Sequence, residues 1–256
     1  MEETAYLALA EAEDHGWYYR ARLEAVETLL KRFAPQRSRP LRILDIGSGT
    51  GGSTQRLQSH GDVLGMEPSA LARELSQKRF PTLKVEPWTI DELPARAPHD
   101  FDVAVILCVL YHQNIKDPAA ALQKIASVQK PGSILIWNEP AYPFLWRQHD
   151  RQTAAGRRFY PRSMHQLLHE QGYELVFQSH LLGWAFPIAC LLALKDRWRW
   201  GADRQTTSAE EGSDHKPVPG PLNRLLRWIT FSEWRLSRLG LGLPFGVSHL
   251  LVARRR

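Results

Sequence analysis

The stretch ILDIGSGTGGSTQRL, Ile43–Leu57, passes from an apolar run through a carboxylate into a cluster of glycines and out into a helix-like pattern. Gly47, Gly49 and Gly52 fit the spacing G-x-G-x-x-G, and Gly47, Gly49 and Gly51 fit the shorter G-x-G-x-G. Both spacings serve where a first strand turns into a first helix and the backbone must approach a nucleotide closely. An acid, Glu67, ends the next apolar run, VLGME, where it can bond ribose hydroxyls. On the glycines alone, a nicotinamide dinucleotide and other nucleoside cofactors tie. Asp45 helps to separate them: a carboxylate two residues before the first glycine repels a pyrophosphate and favours a cofactor that carries positive charge.

Outward from the loop, short apolar strands alternate with helical segments: LRILDIG, STQRLQS, VLGME, SALARELSQKR, LKVEPW, FDVAVILCVL, PAAALQKIASVQ, the turn KPGS, then ILIWNE. Strict alternation with strands apolar throughout predicts an α/β fold, a doubly wound and mostly parallel sheet covered on both faces. Beyond it SMHQLLHEQG reads as a helix, and YELVFQSH and SHLLVARR as strands that pair at the sheet edge. The last strand is expected to be the antiparallel one of seven. Residues 3–34 read as helical, with Leu23, Val26, Leu30 and Phe33 at helix spacing before the breaker-rich APQRSRP. The expected plan is a single domain over 1–256: a helical lid (1–40), a Rossmann-like core (41–180), an insertion (181–247) and a last strand (248–256).

A chain of 256 residues buries a sizeable core without staples. Its two cysteines, Cys108 and Cys190, are too few and too far apart for a disulfide framework or a metal cage, so no metal and a reducing cytoplasmic setting are expected. The acidic start MEETAYLALAEAEDHG lacks the order of a secretory signal. The formal net charge of +6 is unevenly spread, with 17 Lys+Arg against 19 Asp+Glu in 1–150 and 16 against 8 in 151–256. A basic C-terminal part suits an anionic membrane surface, a phosphorylated substrate or nucleic acid, or serves solubility. No separate RNA-binding motif accompanies the tryptophans, which ranks nucleic acid low.

ILDIGSGTG, VLGMEPS, FDVAVILCVLYH and KPGSILIWNEP, in that order over roughly residues 41–140, resemble the class I S-adenosylmethionine-dependent methyltransferases. The resemblance implies S-adenosylmethionine as cofactor, whose ammonium and sulfonium explain Asp45. It places Asp45, Gly47, Ser48, Gly49 and Gly51 around the methionine part, Glu67 and Pro68 at the ribose, and Trp88, Thr89 and Ile90 at the adenine. Many members carry an Asp in that last segment where Thr89 stands here. Cys108 and Val109, ending the fourth strand, lie beside the methionyl group in the family, and Tyr19 and Arg20 belong to a helix that closes over the cofactor.

DHGWYYRARLEAV, PAYPFLWRQHDRQTAAGRRFY and LPFGVSHLLVARR further resemble a bacterial subgroup found with glycosyltransferase or lipid-linked glycan pathways. Relatives there read H-D-x-x-x-G-H-x-R-R-Y; Ala155 stands for a His and Phe159 for a Tyr. Cys108 and Tyr111 also replace a strand-end Asp and a Glu. His112, following the fourth strand at the carboxyl edge of the sheet, is the first candidate base, with His149 second and Tyr111 and Tyr142 as groups that orient an acceptor. Arg157 and Arg158 form a basic pair suited to a phosphate or carboxylate on the substrate. The reaction implied is methylation of a small-molecule, glycan-linked or lipid-linked acceptor, on oxygen ahead of carbon or nitrogen. A nicotinamide-dependent oxidoreductase and a non-catalytic, membrane-associated cofactor-binding protein are the alternatives.

The insertion opens with LLGWAFPIACLLAL, Leu181–Leu194, 14 residues without a charge and too short to span a bilayer. KDRWRWG then interleaves Trp198 and Trp200 with basic residues, and the polar DRQTTSAEEGSDHKPVPGP leads to NRLLRWITFSEWRLSRLGLGLPFG. On a helical wheel Leu225, Trp228, Ile229, Ser232, Leu236 and Leu239 share one face, opposite Arg227, Thr230, Ser237 and Arg238, with Phe231 and Trp234 among the polar residues. Tryptophan beside basic residues favours a bilayer interface, so a peripheral seat at the inner membrane face or a long apolar acceptor is expected, with a substrate-cavity cap close behind. The oligomeric state is not legible.

Overall fold

The computed structural model describes residues 3–199, 219–237 and 242–256. In chain order the elements are α1 (Glu3–His15), α2 (Trp17–Phe33), β1 (Leu41–Ile46), α3 (Gly52–Leu57), β2 (Gly61–Met66), α4 (Ala70–Arg79), β3 (Val85–Glu86), α5 (Leu93–Arg96), β4 (Phe101–Leu107) and α6 (Pro118–Ser127). They continue with β5 (Gln129–Pro140), α7 (Gln148–Gln152), α8 (Pro161–Glu170), β6 (Tyr173–Leu181), α9 (Phe186–Arg199), α10 (Gly220–Ser237) and β7 (Ser248–Arg255). The seven strands form one sheet in the order β3-β2-β1-β4-β5-β7-β6. Strands β1 to β5 pair in parallel, while β7 runs antiparallel between β5 and β6.

Alternate residues of the central strands feed two cores, which is why these strands carry no polar face. Ile43, Val103, Val105, Ile134 and Val252 pack against Val26, Leu29 and Leu30 of α2. Leu44, Ala104, Ile106, Leu135 and Leu251 pack against Leu122 and Ile125 of α6 and Met164 and Leu168 of α8. Helix starts follow local chemistry: Asp117 accepts from the N–H groups of Ala119 (2.8 Å) and Ala120 (3.2 Å) ahead of Pro118, and Ser69 accepts from Ala72 at the head of α4.

Three local features differ from the sequence expectation. The single N-terminal helix is two, parted at Gly16, whose extended backbone ends α1 and starts α2. A Cβ there would stand 2.5 Å from the carbonyl oxygen of Ala12, so only glycine lets α1 turn so tightly. The expected turn KPGS instead lies within β5, where Gly132 has φ +81° and the pairing with β4 shifts register between Phe101 and Val103.

The third difference is the face that α10 presents to the protein. Thr230 and Trp234, assigned to the polar side by the wheel, are buried, and the Trp234 ring lies 6.1 Å from Phe177 of β6. Leu225 and Trp228, assigned to the apolar side, are 51% and 66% exposed. Glu233 explains the inversion: its carboxylate accepts from the N–H groups of Gly183 (3.1 Å) and Trp184 (2.7 Å), while Thr230 accepts from the Trp184 indole (3.1 Å). Polar groups at the bend before α9 thus draw the polar side of the helix inward. Leu239, Arg238 and Trp200 lie outside the described residues, as does most of the polar stretch between the two helices. Trp234→Ala should lower stability by about 3 kcal/mol and Trp228→Ala by no more than about 0.5 kcal/mol in urea unfolding.

Candidate functional site

The glycine loop forms where β1 ends. Gly47 and Ser48 both donate backbone N–H groups to the Met66 carbonyl (2.8 and 3.0 Å), tying the turn to the end of β2. Gly47, Gly49 and Gly51 have φ of +69°, +55° and +91°, the left-handed region that glycine enters without strain. At Gly47 an added Cβ would also meet Val109 Cγ2 at 2.6 Å, so Val109 acts as the wall that seats the loop. Glu67, at the end of β2, accepts from Gly49 N–H (3.1 Å) and Ser69 N–H (2.9 Å), with burial raising its pKa and those bonds opposing the rise. Pro68 beside it is exposed.

Asp45 is buried, and Oδ2 accepts from the hydroxyls of Ser53 (2.7 Å) and Thr54 (2.6 Å). Burial pushes its carboxyl up to about 6, against the pull of those two bonds. Nearby is Arg22 of α2, a residue that sequence reasoning missed. Its guanidinium donates to Cys108 Sγ (3.4 Å) and lies 4.9 Å from the Tyr19 ring centroid and 5.4 Å from that of Tyr18, while its Nε is buried with no hydrogen-bond partner. The signal was present: Arg22 stands four residues before Val26, on the apolar stripe of the helix, where a charge needs a reason. Arg20, the expected residue, is only half-buried.

Helix α1 packs on the glycine loop. Glu13 accepts from Thr50 Oγ1 (2.6 Å), Gly52 N–H (3.1 Å) and Arg79 (2.7 Å), and Leu9 lies against Gly49. Tyr6 bonds Ser69 beside Glu67. The helix is therefore clasped over the loop by an ion pair whose two side chains are largely shielded.

At the end of β4, Cys108 (φ +60°) turns the chain away from the sheet, and burial pushes its thiol up to about 11. Glu139, also missed, supports the turn: buried at the end of β5, its Oε1 accepts from Val109 N–H (3.3 Å), Leu110 N–H (2.8 Å) and the Trp137 indole (2.9 Å). Its pKa is pushed up to about 7 by burial, and its Oε2 has no hydrogen-bond partner. A carboxylate ending the apolar run ILIWNE was its only sequence mark.

His112 follows this turn, half-buried, with Nδ1 accepting from Asn114 N–H (3.2 Å); burial lowers its pKa and keeps the imidazole neutral. It faces Ala155 across an isolated β-bridge, so the position where relatives carry a second His adjoins His112. Phe159, standing for a Tyr, is buried 5.7 Å from the Trp137 ring, where a hydroxyl would need a partner. Tyr111 donates to the Thr153 carbonyl (3.4 Å), its pKa raised by burial, and His149 sits in α7.

The basic pair is engaged within the protein. Arg158 forms a two-pronged bond to Asp150 (2.8 and 3.0 Å) and reaches the Ala141 carbonyl; Arg157 holds the Leu110 carbonyl (3.1 Å). Arg158 therefore fastens 141 to 150 rather than offering an open fork. Tyr142 (φ +60°) donates to His180 Nε2 (3.1 Å), whose Nδ1 in turn donates to the Leu243 carbonyl (2.8 Å). At the adenine segment, Trp88 and Ile90 pack into the core while Thr89 caps the following turn by donating to Glu92 (3.0 Å). A groove of about 440 Å³ between Thr28, Arg32, Phe177 and Trp234 lies at the other end of α2 and is no part of this crevice. Among the described residues no cluster of His, Cys, Asp or Glu is arranged to hold a metal.

A Rossmann-like sheet with a left-handed glycine loop, a carboxylate at its head and an acid at the next strand end defines a fold of the nucleoside-cofactor-binding class, and the buried carboxylate favours a cofactor that carries positive charge. Residues 17–178 match the family model described as a methyltransferase domain, and the chain belongs to that family. It is 34% identical over 96 residues to a ubiquinone biosynthesis O-methyltransferase of Aeromonas salmonicida, a match covering 36% of this chain and 40% of that relative, so the chain spans under half of its length. A SAM dependent methyltransferase structure from Archaeoglobus fulgidus superposes with a TM-score of 0.55 at 14% identity, over 91% of this chain and 94% of that one. Phosphoethanolamine N-methyltransferase 2 of Haemonchus contortus, in complex with S-adenosyl-L-methionine, gives 0.55 at 18% identity, over 89% and 51%. These last two likenesses show the fold. The cofactor of the family and fold is S-adenosylmethionine, and the residues present fit it: a buried carboxylate held by hydroxyls rather than a cation, an arginine with an unused N–H, and a buried Ser48 hydroxyl without a partner, all at the loop.

Ionised Asp45 attracts a cationic donor and the neutral acid does not, so donor affinity should rise with pH through about 6. One unit below that value roughly a tenth of the protein carries the charge, and apparent affinity falls about tenfold. Titration calorimetry across this range should show the slope, and Asp45→Asn should bind weakly at every pH without it.

Proposed function

We propose that this chain transfers the methyl group of S-adenosylmethionine to an oxygen of a small-molecule, glycan-linked or lipid-linked acceptor. The observation that carries the reading is Asp45, a buried carboxylate at the head of the glycine loop in a chain of the methyltransferase family. A nicotinamide dinucleotide would set its pyrophosphate near that charge, which is why the oxidoreductase alternative is not favoured.

When bound, S-adenosylmethionine supplies a methyl carbon already activated by sulfonium, so the protein's task is alignment in a dry site. Asp45 with Gly47, Ser48, Gly49 and Gly51 holds the methionine part, Glu67 and Pro68 the ribose, and Trp88, Thr89 and Ile90 the adenine. Arg22, steadied by Tyr18 and Tyr19, holds the carboxylate end in place of Arg20, its buried Nε supporting this assignment. Cys108 and Val109 line the methionyl side. His112 receives the acceptor's proton; its lowered pKa supports this, since a neutral imidazole has a lone pair to offer. Tyr142, paired with His180, orients the acceptor, and His149 stands as a second proton acceptor. In this reading residues 1–256 act as one domain, with α1 and α2 as the lid.

Oxygen as the methylated atom is supported by the name of the Aeromonas salmonicida relative, and the lipid-linked class by the subgroup resemblance and by the apolar insertion. A place at the inner membrane face suits such an acceptor. The test is calorimetry with S-adenosylmethionine and NADH, followed by turnover of methyl-labelled donor over aqueous and organic fractions of a bacterial extract. Donor binding without NADH binding, and label in an O-methyl product, are expected. Gly49→Arg, whose Cβ meets Leu9 and Glu13 only at ordinary contact distance but whose backbone is strained at φ +55°, should abolish donor binding with a fall in melting temperature that leaves the chain folded. NADH binding, or undiminished affinity in that variant, would overturn the assignment.

A further inference from the structure

The insertion carries most of the exposed large apolar side chains of the described chain. Ile188, Leu191, Leu194 and Trp198 in α9 are 52%, 67%, 60% and 88% exposed, and their spacing sets them on one helix face. Leu222, Leu225 and Trp228 in the first half of α10 form a second such face, with Phe245 exposed in the loop before β7. Elsewhere only Leu7 and Tyr160 join them among the described large apolar residues. Ordinary surfaces scatter such residues singly, so this concentration needs a partner.

Both helices are tied to one point. The Trp17 ring lies 5.8 Å from that of Trp184, just before α9, and Asn223 of α10 accepts from Trp17 N–H (2.9 Å) and donates to the His15 carbonyl (2.7 Å). That point is at the start of α2, the end of the helix from which Arg22 reaches Cys108. The apolar faces therefore flank the carboxyl edge of the sheet, beside the crevice.

Charge decides between occupants. The acidic residues of the described parts of α9 and α10 are Asp196 and Glu233, and both turn inward: Asp196 accepts from Arg147 (3.0 Å) and Glu233 from the N–H groups at 183 and 184. Lys195, Arg197, Arg224 and Arg235 are exposed. Outward charge on these helices is thus basic only, and beside it stands a tryptophan that is almost wholly exposed. A water-soluble protein partner does not call for this pairing of snorkelling cations with interfacial tryptophan, whereas a bilayer with anionic headgroups does. Neither helix is long and apolar enough to cross a membrane, which fits helices that lie along it.

We infer that α9 and the first half of α10 form a docking surface for an anionic phospholipid bilayer, setting the mouth of the crevice against the membrane. The inference stands on this surface alone and holds whichever acceptor is methylated.

Flotation of the full chain with phosphatidylcholine vesicles containing about a third phosphatidylglycerol tests it. The protein should float with these vesicles, and far less with phosphatidylcholine alone or at high salt. Leu191→Ser, Leu194→Ser and Trp198→Ser combined should weaken binding about tenfold or more, with melting temperature and donor affinity unchanged. Three results would overturn it: protein remaining in solution with the anionic vesicles, flotation unaffected by the triple substitution, or sedimentation revealing a dimer that the triple substitution dissolves, which would assign the surface to a second copy. Donor binding is read separately, so loss of vesicle binding leaves the methyltransferase reading intact, and the converse holds.

Discussion

One close approach governs the site: the backbone of Gly47 against the side chain of Val109, with no room between them for a Cβ. It joins the end of β1 to the end of β4, the two neighbouring strands at the centre of the sheet, and fixes where the glycine loop stands relative to Cys108. Val109 is in turn held from below by Glu139, whose carboxylate takes the N–H groups of residues 109 and 110. A charge buried under a turn is costly unless bonded this way, and here it sets two loops in register. The glycine loop at Gly47 and the turn that carries His112 thus rest on the same few contacts.

Electrostatics along the carboxyl edge follow from that geometry. Asp45, Arg22 and Glu139 are all withdrawn from water, so the carboxyls of Asp45 and Glu139 sit well above their usual range. Each can change protonation at small cost near neutrality, the condition under which a bound cation or a passing proton has most leverage. The clasp of Glu13 serves attachment, one oxygen of its carboxylate taking donors from Thr50, Gly52 and Arg79. One part of the site is poised and another fastened.

Much of this was legible in the residues. Apolar strands in alternation with helices marked the sheet, and the glycines after Asp45 marked the left-handed loop at the end of β1, because both signals are local. What escaped was set by tertiary partners. The polar side of α10 turns inward because Glu233 and Thr230 meet backbone and indole donors at 183 and 184, which no helical wheel can anticipate. Arg158 read as an anion site until Asp150 stood beside it, and the closing helix was read on Tyr19 and Arg20 until Arg22 met Cys108 and two tyrosines. Gly16 broke a helix whose periodicity continues across it, since spacing reports faces and not the crowding at Ala12.

The position of β7 bears on how the chain acquires its shape. β6 joins the sheet only through β7, and β7 is made after the whole insertion. A nascent chain that has already completed β5 and β6 holds two strand edges with nothing between them. Closure then waits on a contact of long sequence separation, which slows folding and leaves those edges open to other chains in the interval. The ladder of eight residues from Ser248 to Arg255, bonded on both sides, is therefore the keystone of assembly as well as a strand of the finished sheet.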